Sequence, residues 1–166
     1  MRPASFNLMP ERREIMADIE LQRRLSRLQT EALYLARKYG TVNYDRQDGT
    51  WLHIKHFPIG PGWNASAIEL LLDIPHGTPG YPQVAPDWFW TDSDLKTSDG
   101  RSIHHFFTSR SSHADAQHLA NNWGHFCVHV RSWRPSPGNA IARGDSLLTY
   151  VELIRKVFND RQRLAG

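Results

Sequence analysis

The residues of this chain best suited to chemistry gather around its only cysteine, in Asn121-Asn122-Trp123-Gly124-His125-Phe126-Cys127-Val128-His129-Val130. Phe126, Val128 and Val130 alternate with His125, Cys127 and His129. On an extended chain the first set faces a core and the second faces out, with neighbours on one face about 6.5–7 Å apart. The thiol then stands between two imidazoles. An imidazolium beside a thiol lowers the thiol pKa from about 8.5 and raises the thiolate fraction, as a nucleophilic cysteine requires. Two other readings of these residues stay open. A free cysteine commonly serves as a small, half-buried filler. His-x-Cys-x-His, with His104, His105, His113 and His118 upstream, also offers zinc ligands. Against zinc, neither Cys-x-x-Cys nor His-Glu-x-x-His spacing occurs, and no metal site is expected. A Gly-rich phosphate loop and a Gly-x-Ser-x-Gly elbow are both missing.

The elements that position this stretch follow from periodicity. Residues 10–39 form one long helix, with Leu21, Leu25, Leu28, Ala32, Leu35 and Tyr39 on one face and Gly40 at its end. Ile15 and Ile19 are offset from that stripe. Residues 41–57 give a short strand, a turn at Asp48-Gly49 and the strand Trp51–Phe57. Ala67–Ile74 is an apolar run suited to a central strand. PHGTPGYPQVAPDW is too rich in Pro and Gly for regular structure, and Trp88–Thr91 resumes as a short strand. Residues 101–124 carry little pattern beyond a short helix around Ala114–Ala120, and Phe126–Val130 is extended. Asp145 or Ser146 caps a last helix to about residue 162, with Leu147, Tyr150, Val151, Ile154 and Phe158 on its apolar face. The fold class is α+β: an N-terminal helix, an antiparallel meander of about four strands and a C-terminal helix, with the helices on one sheet face. Residues 1–9 are expected to be a flexible N-terminus and 10–162 a single domain.

Charge narrows the partners. The 166 residues hold 20 Lys+Arg and 17 Asp+Glu, a net +3, with a pI near 9.2. All of the excess lies in residues 1–39, and residues 40–166 are neutral. The basic helix also carries acids and lacks a nucleic-acid reading motif, so no nucleic acid is expected. A solvated helix face and a docking surface explain its charge equally well. A lone cysteine cannot form an internal disulfide, the start has no apolar signal region, and no apolar run suits a membrane span. A reducing cytoplasm is the expected setting, with no membrane partner.

Three pieces of sequence then converge on a known family. GYPQVAPDWFW (80–90) resembles the E2 ubiquitin-conjugating (UBC) pattern in which Tyr-Pro and a later Pro rigidify the exit of the third strand, matched by Tyr81, Pro82 and Pro86. FCVHVRSWRP (126–135) resembles the E2 active-site stretch, in which Trp-x-Pro follows the catalytic cysteine, here Cys127 with Trp133-Arg134-Pro135. GDSLLTYVELIRKVF (144–158) is similar to the start of the helix that follows. Within the superfamily, Trp133, Arg134, Pro135, Asp145, Leu147 or Leu148, Thr149 and Tyr150 resemble prokaryotic E2 family E. The resemblance spans roughly residues 10–160.

The resemblance implies a UBC-like fold and an enzyme that accepts a ubiquitin-like protein from an E1-like adenylating enzyme. The modifier would be held as a Cys127 thioester and passed to an amine on a protein target. It implies no cofactor in this chain, since the E1 consumes the ATP. A JAB-type deconjugase belongs to the same pathway in bacterial relatives, some of which serve anti-phage defence. In this reading His125 and His129 tune the thiol or move protons. The usual His-Pro-Asn before the cysteine is missing. His104-His105 stand in part of its place, and Asn121 or Asn122 is the candidate amide donor to the oxyanion. Arg12, Arg13, Arg23, Arg24 and Arg27 are candidate E1 contacts, because E2 proteins commonly dock the E1 on this helix. The alternative is an inactive E2-like binding module for the modifier or the E1, with Cys127 structural. A zinc-binding protein is the third reading.

Overall fold

The computed structural model describes residues 9–108 and 122–160. The expected flexible N-terminus therefore lies outside the described residues, except for Met9, which opens a helix. The short helix around Ala114–Ala120, with His113, His118 and Asn121, also lies outside them.

Helix α1 (Met9–Tyr39) ends where Gly40 takes a φ of +83° and its N–H bonds to Ala36 O at 2.9 Å. A left-handed residue there suits glycine, which has no Cβ to clash. Leu28, Ala32, Leu35 and Tyr39 are buried as their spacing predicts. Residues 10–19 are all exposed, so the first turns project past the body and leave Ile15, Met16 and Ile19 in water.

The sheet contains β1 (Val42–Tyr44), β2 (Trp51–Pro58), β3 (Ala67–Asp73), β4 (Trp88–Asp92), β5 (Phe106–Phe107) and β6 (Trp123–Cys127). The order is β1-β2-β3-β4-β6-β5, with every neighbouring pair antiparallel. The expected four-strand meander is present as β1–β4. Beyond it the returning chain adds β6 beside β4, with the two-residue β5 outside. Helix α2 (Leu147–Asn159) starts at Ser146, whose hydroxyl accepts from Leu148 N while the Thr149 hydroxyl accepts from Ser146 N, a capping box. The five apolar residues named from its sequence are those it buries.

Both helices lie on one face of the sheet, over Leu52, Ile54, Leu70, Leu72, Phe89 and Phe126. The second face is covered too. Leu71 is 8%, Trp90 2% and His125 0% exposed. A buried polar network joins the layers. Arg27 Nε donates to Glu31 Oε1 at 2.6 Å, Tyr81 OH donates to Glu31 Oε2 at 2.6 Å, and the same Tyr81 hydroxyl oxygen accepts from Leu147 N at 3.1 Å. Arg27 also donates to the carbonyls of Ser136, Gly138 and Asp145. One arginine thus satisfies the carbonyls of the long loop that leads into α2.

Candidate active site

Cys127 is the last residue of β6, not the middle of an extended stretch over 126–130. Register is the reason. Trp123–Cys127 pair with Asp92–Trp88, and Val128 N donates to Asp87 O at 2.8 Å as the chain leaves the sheet. The thiol is half-buried. Directly across from it on β4 is Trp88.

On the other side runs β5. Phe106 pairs with Phe126 and Phe107 with His125, so continuing the register by one residue sets His105 opposite Cys127. His105 Nδ1 lies 3.6 Å from Cys127 Sγ, within reach of a sulfur hydrogen bond. His105 has a φ of +58°, a left-handed conformation that non-glycine residues adopt uncommonly. The imidazole beside the thiol is therefore one that strand alternation around Cys127 does not point to. His104-His105 in part of the His-Pro-Asn place was the only sequence signal toward it.

The other sequence candidates go elsewhere. His125 shares the Cys127 face but is fully buried, with ring centroids 5.0 Å from Trp88, 4.7 Å from Trp90 and 5.0 Å from Phe107. The expectation that it faces out with the thiol fails because aromatic rings cover this face. His129 lies past the strand, largely exposed, with Nδ1 3.6 Å from Asp87 Oδ1. Asn122 precedes β6, at the end opposite Cys127, about 16 Å away at strand rise. At that far end its Oδ1 accepts from Ser93 Oγ at 3.0 Å. Among the described residues no group of three or more His, Cys, Asp or Glu gathers as a metal cluster.

Tyr150 of α2 completes the surroundings. Its hydroxyl is buried and has no hydrogen-bond partner among the described residues. Burial pushes its pKa up, and the charges of Asp87, Asp73 and Cys127 push it further.

The candidate E1-contact arginines divide. Arg12, Arg13 and Arg23 are exposed. Arg24 is buried, with Nε and Nη2 bonded to Asp48 O at 3.2 and 2.8 Å. Arg27 is 1% exposed and fully engaged in the network above. Neither presents a surface to a partner, because each caps carbonyls of a loop packed on α1.

The two stretches that carried the E2 resemblance meet in space. Trp133 Nε1 donates to Pro82 O at 2.7 Å, and the Trp133 and Tyr81 rings lie 6.3 Å apart. Asp145 Oδ2 accepts from Arg134 N at 2.6 Å, and Asp145 N donates to Arg134 O at 2.9 Å. The Tyr-Pro passage, the Trp-Arg-Pro loop and the start of α2 thus form one joint beside the strand that ends in Cys127. Among families, Prokaryotic E2 family E matches residues 29–160, well over half of the chain.

The chain belongs to prokaryotic E2 family E.

Membership gives this E2-like protein a conjugation-related role and agrees with its α+β, UBC-like architecture. The match begins beyond Arg12, Arg13, Arg23, Arg24 and Arg27, so family membership does not speak to them. It includes Cys127, His105 and the joint around Trp133. No curated protein and no solved structure matches the chain. Among the described residues no helix is long and apolar enough to cross a membrane.

Proposed function

We propose that this protein is an E2-like conjugating enzyme. Cys127 accepts the C-terminal acyl group of a ubiquitin-like protein from an E1-like adenylating enzyme, and an amine on a target protein then takes it. The observation that carries the reading is the contact between the only thiol of the chain and an imidazole, at the exposed end of a strand inside the family match. A thiol with an imidazole in contact is the pairing that nucleophilic cysteines use. Arg12, Arg13 and Arg23, beside exposed Ile15, Met16 and Ile19, are the E1 contacts of this reading. A JAB-type deconjugase as pathway partner and a setting in bacterial anti-phage defence belong to it as well.

The test is incubation with its E1, the modifier and ATP, followed by non-reducing gels. A thiol-sensitive adduct is expected with the natural chain and not with Cys127→Ser. The second reading, a non-catalytic E2-like binding module, draws support from Asn122, whose amide lies at the wrong end of β6 for oxyanion stabilisation. Absence of any adduct with a demonstrably active E1 selects that module.

A further inference from the structure

Three consecutive residues deliver an imidazole to the thiol. Phe106 enters the core and stacks on Phe126, with centroids 4.6 Å apart. Phe107 turns to the other sheet face and stacks on His125 at 5.0 Å. Clamped from both faces, this two-residue strand holds the preceding His105 against Cys127 Sγ at 3.6 Å. The left-handed φ of +58° at His105 is unfavourable for a non-glycine residue and persists where surrounding contacts over-determine it.

We propose that His105 is the catalytic proton acceptor and donor of Cys127, so that the thiol works as a Cys–His dyad. The inference rests on the conjugation reading above. In the transfer step the Cys127 S–H proton passes to His105 Nδ1 as Sγ attacks the carbonyl of the E1-bound thioester. The E1 sulfur leaves and takes the proton back from the His105 imidazolium. One thioester C–S bond forms, one breaks, and no net proton is consumed. In the second step an amine attacks the Cys127 thioester. His105 receives the amine proton as the C–N bond forms and returns it to the departing Cys127 sulfur.

Several other groups face this pair. His104 precedes His105, with ring centroids 6.4 Å apart. His129 and Asp87 flank the end of β6, with Nδ1 and Oδ1 3.6 Å apart. His125 lies beneath, among Trp88, Trp90 and Phe107. Tyr150 and Asp73 lie within electrostatic reach of the same region. Of the described histidines, it is His105 whose ring nitrogen bonds to the sulfur.

Because the chain has one cysteine, thiol alkylation reads Cys127 alone. The experiment is the rate of iodoacetamide modification of the full chain between pH 5.5 and 10. His105→Asn and His105→Gly are the variants, since Asn and Gly both tolerate a positive φ. Each should slow alkylation at pH 7 by about tenfold and converge on the natural rate near pH 10, where an ordinary thiol is ionised without help. His129→Ala should overlay the natural profile. Overlay of both His105 variants on the natural chain overturns the dyad, as does an equal shift in His129→Ala. The alkylation readout needs no E1, so a shifted profile supports the dyad even if the gel assay yields no adduct. That gel result would count against the conjugation reading alone.

Discussion

Arg27 and Glu31 stand one helical turn apart on α1 and are 1% and 0% exposed. Burial raises the Glu31 carboxyl above its ordinary value of 4.5, while hydrogen bonds from Tyr81 and Arg27 and the Arg27 charge pull it back down only in part. The native state therefore binds more protons than the unfolded chain between pH 4.5 and the raised value. Stability from this group is fully present below pH 4.5 and declines as pH rises through that window. Urea unfolding across pH 4–8 should show this slope in the natural chain and a flatter one in Glu31→Gln. An unchanged slope would show that Glu31 does not titrate as its burial requires. The same pair explains why Arg27 is lost from the candidate contacts. Its guanidinium donates to Glu31 and three loop carbonyls and is 1% exposed, so it presents no surface to an E1.

At the scale of elements, the β5–β6 pair is what brings imidazole and thiol together. Gly124 of β6 makes the pairing possible. A Cβ there would lie within 2.5 Å of Phe106 Cζ. Gly124→Ala must push Phe106 off its stacking position on Phe126 and carry His105 away from Cys127. Overpacking of this kind costs about 1–3 kcal/mol. Thermal unfolding should register that loss, and alkylation of Cys127 at pH 7 should slow alongside it. Undiminished stability and alkylation would mean that β5 is not held by this contact.

For the whole molecule the charge is divided by depth as well as by sequence. The surplus of +3 belongs to residues 1–39, yet Arg24 and Arg27 are internal. Arg12, Arg13 and Arg23 remain on the surface of α1. Reversing those three to Glu should slow transfer from the E1 to Cys127 several-fold, with no change in melting temperature. Equal transfer rates would remove them from the E1 surface. Arg27→Ala should do the opposite, destabilising the fold by about 3–5 kcal/mol by leaving a buried carboxylate without its cation. Denaturant titration separates the two outcomes.

Sequence alone determined what depends on local order. The α1 stripe from Leu28 to Tyr39, the capped start of α2 and its apolar face, and the strands around Trp51, Ala67 and Trp88 all follow from periods of 3.6 and 2 and from capping chemistry. The motifs around Tyr81, Trp133 and Thr149 were also legible, and with them the family. Tertiary structure alone decided which groups meet the thiol. The two residues of β5 are too short to show a period, and the His105–Cys127 contact depends on pairing between segments 22 residues apart. Alternation placed His125 on the right face, but only the packing of Trp88, Trp90 and Phe107 determined that this face is buried. The depth of Arg27 likewise depends on carbonyls more than 100 residues away. Period and propensity are properties of neighbours along the chain, whereas register, burial and long-range hydrogen bonds exist only once distant segments have packed together.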